Sequence, residues 1–197
     1  MYVGTNLALA RLTLRDPQQA ARILMQNQLG RPVLIEAAVL VVTLEVLAAF
    51  IGQWINPVPQ SGFAASMFSS PLLLTIMQIA VLYLTVLAVF LIGRIFGGTG
   101  LFDQTLQLML WLQLLTLAVE VAEIPLFLIL GNAQSLMGLI TLATAIFATW
   151  LTVNFIAVLH GFSSLLKVFA GLMGTSIILA FLLMVFLVRF GLIEPGV

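Results

Sequence analysis

Residues 71–92, PLLLTIMQIAVLYLTVLAVFLI, contain no charged side chain, and the first charge after them is Arg94. An α-helix rises 1.5 Å per residue, so about twenty apolar residues cross the ~30 Å hydrocarbon core of a bilayer. Ser69 and Ser70 can cap a helix here, and Pro71 suits its first turn. The stretch reads as a membrane span and sets the scale for the rest of the chain.

Four more runs match it, at about 32–52, 105–130, 135–159 and 168–189. The composition agrees. Of 197 residues, 62% are hydrophobic and 7% charged, against about a quarter charged in soluble domains, so the apolar surface must face lipid. The expected fold is all-α: a polytopic bundle of five transmembrane helices (32–190), a cytoplasmic segment with a short amphipathic interfacial helix (1–31), and a short tail (191–197).

Formal net charge is zero and the basic residues are dispersed, which argues against a nucleic-acid partner. There is no cysteine, hence no disulfide and no thiolate chemistry. The first thirty residues lack the apolar core and cleavage site of a signal peptide, so the first span is expected to direct insertion.

Orientation follows from Lys and Arg, which are retained on the cytoplasmic side. Arg11, Arg15, Arg22, Arg31, Arg94 and Lys167 fall on one side of the five-span arrangement, and only Arg189 on the other. The expectation is a bacterial inner-membrane protein with its N-terminus cytoplasmic and its C-terminus periplasmic.

Before the first span, Asp16 can cap a helix that Pro17 begins, and Gly30 and Pro32 can end it. Ala20, Ala21, Ile23, Leu24 and Met25 share one arc of it; Gln18, Gln19, Arg22 and Gln26 lie opposite. The helix is expected to lie in the cytoplasmic headgroup region and brace the bundle, or to offer a docking face. The first outer connection, 53–70, holds Trp54, Phe63, Met67 and Phe68 and is expected along the interface.

The stretch GRIFGGTGLFDQ (93–104) is glycine-rich but fails as a phosphate loop. It lacks Gly-Lys-Ser/Thr and has no preceding strand. Gly97, Gly98 and Gly100 instead suit a cytoplasmic turn between antiparallel helices, with Asp103 as the cap of a helix beginning near Thr105. His160, the sole histidine, is expected as an interfacial cap at the end of the fourth span.

Intramembrane carboxylates are the sharper candidates, because a charge at mid-membrane costs about 2.5–3.5 kcal/mol on insertion scales. Glu45 lies about 18 Å, Glu120 about 22 Å and Glu123 about 27 Å into their spans. Arg189 is the expected counter-charge. The set is either a packing and interface cluster or the lining of a proton or cation site. Gln78, Gln107, Gln113 and Asn154 are expected to bond between helices, and Ala170/Gly174, Gly171/Thr175 and Ser176/Ala180 to allow close packing of the fifth span. Zinc-protease, serine-protease and aspartyl intramembrane protease motifs are absent, so no catalytic residue and no cofactor or metal site is expected.

Three stretches carry a family likeness: LTLRDPQQAARIL (12–24), GGTGLFDQTLQLMLWLQLL (97–115) and WLTVNFIAVLHGFSSLLKV (150–168). Together with five spans they resemble bacterial members of the Yip (Ypt-interacting protein) family. The resemblance implies a five-span topology and a role in membrane organisation without catalysis. Eukaryotic members bind Rab-type GTPases through long cytoplasmic N-terminal regions; about thirty residues here are too few, so GTPase binding is not expected. The expected partners are membrane lipid and a second copy or another membrane protein, with a small transporter or proton/cation conductor as the alternative function.

Overall fold

The structure, a computed structural model, describes residues 3–55, 57, 65, 68–130 and 134–189. Its helices are α1 (Val3–Arg15), α2 (Pro17–Gln26), α3 (Arg31–Ile55), α4 (Pro71–Ile95), α5 (Phe102–Leu130), α6 (Gln134–His160) and α7 (Leu165–Arg189). The last five are long and apolar enough to cross a membrane, and no strand occurs among the described residues.

Local chemistry sets the helix ends. Asp16 Oδ1 accepts from the Gln19 amide at 2.9 Å and Pro17 opens α2. Ser70 Oγ accepts from the Leu73 amide at 3.4 Å before α4, and Ser164 Oγ from the Lys167 amide at 3.4 Å before α7. Helices α4 and α6 both stop on a glycine with positive φ, Gly97 (85°) and Gly161 (72°). Each stop carries the paired bonds of a Schellman motif: Gly98 N to Gly93 O with Gly97 N to Arg94 O, and Phe162 N to Ala157 O with Gly161 N to Val158 O. Pro125 lies inside α5, which continues to Leu130.

Two sequence expectations need correction. Helix α5 begins at Phe102, so Asp103 lies in its first turn and does not cap it; both carboxylate oxygens accept from Arg31 Nε, at 3.1 and 3.0 Å. The N-terminal segment holds two helices, not one. The Leu-rich alternation in TNLALARLTLR, around Leu7 and Leu9, disguised α1, because it does not follow helical spacing.

The Arg31–Asp103 pair joins the starts of α3 and α5, which therefore run parallel. Helix α5 is central, packed against α3, α4, α6 and α2, while α2 lies on α6 and α1 on α2. Among the described residues, burial stops part-way along every span: after Val46 on α3, before Leu82 on α4, after Leu117 on α5, before Leu151 on α6 and after Val168 on α7. The solid core thus reaches about 14–22 Å from the end where α1 and α2 sit on the first four spans and about 5 Å on α7. Beyond it the described side chains are half-buried or exposed, with Ile177, Ile178, Phe181 and Leu182 of α7 all exposed. The bundle tapers from a dense seven-helix end to a looser five-helix end.

Gly171 and Gly174 do not mediate close packing within the chain, since a Cβ added at either would meet nothing within 4 Å. Trp54 is 85% exposed, and Phe68 stands edge-on to Phe50 at 6.0 Å. Phe63, Met67 and the tail 191–197 lie outside the described residues.

Candidate functional site

Three clusters carry the polar chemistry, and the dense end holds two of them. The first is a latch at the start of α5. Gln107 is buried, and its Nε2 donates to the carbonyls of Leu24 (2.9 Å) and Asn27 (3.2 Å), while its Oε1 accepts from the Leu29 amide at 2.9 Å. One side chain thereby satisfies carbonyls left open at the end of α2 and an amide in the connection to α3. Trp111 Nε1 donates to Thr13 Oγ1 at 3.1 Å, and Gln18 Nε2 donates to Asn154 Oδ1 at 3.0 Å. With Ala20 and Ala21 fully buried, α1 and α2 are built into the bundle. Gln107 and Asn154 were legible as polar span residues; Thr13 and Trp111 carried no signal separating them from ordinary positions.

The second cluster surrounds His160. The residue ends α6, as expected, but is only 2% exposed, so it is a core group. A Cβ on Gly93 or Gly98 would overlap the ring, and one on Gly100 would come within 2.8 Å of Leu159 Cγ. The turn is glycine-rich because the end of α6 is pressed against it. His160 Nε2 lies 3.2 Å from the Val89 carbonyl, which can only accept, so this nitrogen carries the proton of that bond. Nδ1 is buried without a partner, Phe162 stacks on the ring at 5.5 Å, and the Thr99 amide donates to the His160 carbonyl at 3.4 Å. No group of three metal-ligating side chains occurs among the described residues. Gly93, in the glycine-rich stretch 93–104, lies within α4, which runs on to Ile95, and its sequence position does not show that it faces His160.

The third cluster is the set of carboxylates. Helices α3 and α5 start earlier than expected, so Glu45 stands about 21 Å from the start of α3, and Glu120 and Glu123 about 27 and 32 Å along α5. Glu45 lies near Glu120 across the α3–α5 contact, and Glu120 and Glu123, three residues apart, share a face of α5. Glu123 Oε1 accepts from Thr144 Oγ1 of α6 at 2.7 Å. Arg189 is not its counter-charge: it is exposed on α7, which packs chiefly on α6, and the pair recorded among the described residues is Arg31–Asp103. Gln113 Oε1, expected to bond between helices, is buried without a partner.

Residues 11–187 match the Yip1 domain. The chain belongs to the Yip1 family. Compared with curated proteins and with solved structures, it matches none. The three stretches on which the likeness rests lie far apart in this Yip1 chain, yet they meet at the dense end. Residues 12–24 form the end of α1 and most of α2, residues 97–115 form the glycine turn and the Gln107 latch, and residues 150–168 supply Asn154, His160 and the start of α7.

Proposed function

We propose that this Yip1-family protein is a non-enzymatic membrane-organising scaffold, oriented with its dense end in the cytoplasmic leaflet. The observation that carries the reading is the taper: α1 and α2 are hydrogen-bonded into one end of the five spans, and among the described residues buried side chains are confined to that end. An inserted body wider on one side expands the leaflet around its wide end and bends the bilayer toward the narrow one. The exposed apolar flanks of the spans leave room for a second copy or another membrane protein.

Orientation rests on Arg11, Arg15, Arg22, Arg31, Arg94 and Lys167 at the dense end. A periplasm-active reporter fused after Val197 is expected to be active in a bacterial host; a silent fusion with full expression would reverse the arrangement.

A second reading is supported by the proximity of Glu120 to Glu45 and to Glu123, with Thr144 bonded to the last: a proton or cation pathway. Proton and cation flux into proteoliposomes separates the two. The scaffold reading predicts no flux above protein-free vesicles. Flux that disappears in the folded Glu120→Gln/Glu123→Gln variant would establish conduction instead.

A further inference from the structure

Helices α4 and α7 both pack on α6 and barely meet one another, which leaves a groove of about 690 Å³ between them. Ile156 of α6 and Val168 of α7 form its floor. Its walls run from Phe96 to Thr85 on α4 and from Ser164 to Leu179 on α7, about 16 and 22 Å. Those lengths match one leaflet, about 15 Å of hydrocarbon plus part of its headgroup layer.

The α7 wall is unlike the rest of that helix. Ala170, Gly171, Thr175 and Ser176 line the groove with small side chains alongside the larger Leu172 and Leu179, whereas Ile177, Ile178, Phe181 and Leu182 follow outside or beyond it. Larger side chains at the first four positions would fill the space. At the mouth stand Ser163, Ser164 and Lys167, and among the described residues no carboxylate pairs with Lys167. The groove is therefore mostly apolar along its length and cationic at one end, which is the complement of an acyl chain joined to a phosphate.

We propose that the α4–α7 groove binds one anionic phospholipid of the leaflet at the dense end, with an acyl chain against Gly171 and Ile156 and its phosphate on Lys167. The Ser163 and Ser164 hydroxyls stand beside that phosphate. A bound lipid would fill the gap between α4 and α7 and fasten α7, whose other contacts are with α6. The inference deepens the scaffold reading by naming a lipid for it and rests on that reading. Its test reads lipid retention alone, so either can fail without the other.

The test is native mass spectrometry of the purified full chain, titrated with phosphatidylglycerol and with phosphatidylcholine. Wild type is expected to hold one phosphatidylglycerol per chain at least tenfold more tightly than phosphatidylcholine. Lys167→Ala is expected to abolish that preference, and Gly171→Leu to weaken both lipids about tenfold. Lys167 is exposed and Gly171 faces open space, so neither change disturbs the core. Unchanged binding in both variants would overturn the proposal. So would efficient cross-linking between copies of a Gly171→Cys variant in membranes, which would give the groove to a second chain; the absence of native cysteine makes that readout unambiguous.

Discussion

Replacing Gly93 by alanine is expected to destabilise the protein by about 3 kcal/mol, the upper range for forcing an extra methyl into a packed core. The added Cβ would overlap the His160 ring, which cannot swing away because Gly98 and Gly100 close on it from the turn and Phe162 stacks on it. The single change His160→Ala leaves a cavity and is also expected to destabilise. The pair should be strongly non-additive: in Gly93→Ala/His160→Ala the methyl enters space the ring has vacated, and the double variant should recover more than about 1 kcal/mol relative to the sum of the singles. Unfolding in detergent, followed by circular dichroism, measures all three. Additive losses would mean that the glycines of the turn serve the backbone alone and that the fit to His160 is incidental.

Gln107 carries the second large effect. Gln107→Leu removes two bonds to carbonyls and one from an amide, leaving the Leu24 carbonyl unpaired against a buried surface, at an expected loss of about 2–3 kcal/mol. Gln107→Glu keeps the shape and can still accept from Leu29, yet an ionised carboxylate cannot donate to Leu24 and Asn27 and would face their oxygens. It should therefore be worse than leucine, although it is the closer isostere. Limited proteolysis is the matching readout: cuts within 3–27 should appear in Gln107→Glu while the five spans remain protected. If glutamate is tolerated as well as glutamine, the latch does not hold α2 and α3 to α5.

Periodicity and length are strong where lipid imposes them, and so the five apolar runs, the Asp16 and Ser70 caps and the turn at Gly97 could be read directly. Side-chain partners across the chain are another matter. The sequence shows that Gln107 and Asn154 need hydrogen bonds, but apart from the Trp150 carbonyl, which accepts from Asn154 Nδ2 one turn away, their partners lie more than seventy residues away in helices whose docking no local pattern encodes. His160 reads as an interfacial cap because a histidine at a helix end is usually one; the signal for its burial is the four glycines at 93, 97, 98 and 100, more than a turn alone requires. Arg189 was paired with Glu123 on depth along the spans, and depth says nothing about which helices are neighbours. Thr144, which does bond Glu123, is one of several threonines on α6 and carried no distinguishing mark.

The carboxylates and the latch bear on different functions, and the taper belongs to the latch. With α1 and α2 docked, the dense end is built of seven helices, and with them released it is built of five. Cryo-electron microscopy of vesicles reconstituted with the basic end outward measures the consequence directly. Wild type is expected to shift the population to smaller diameters and tubules as the protein-to-lipid ratio rises, and Gln107→Glu, inserted at the same density with its spans intact, to leave diameters near those of protein-free vesicles. Unchanged diameters with wild type, or equal remodelling by both proteins, would contradict the scaffold account.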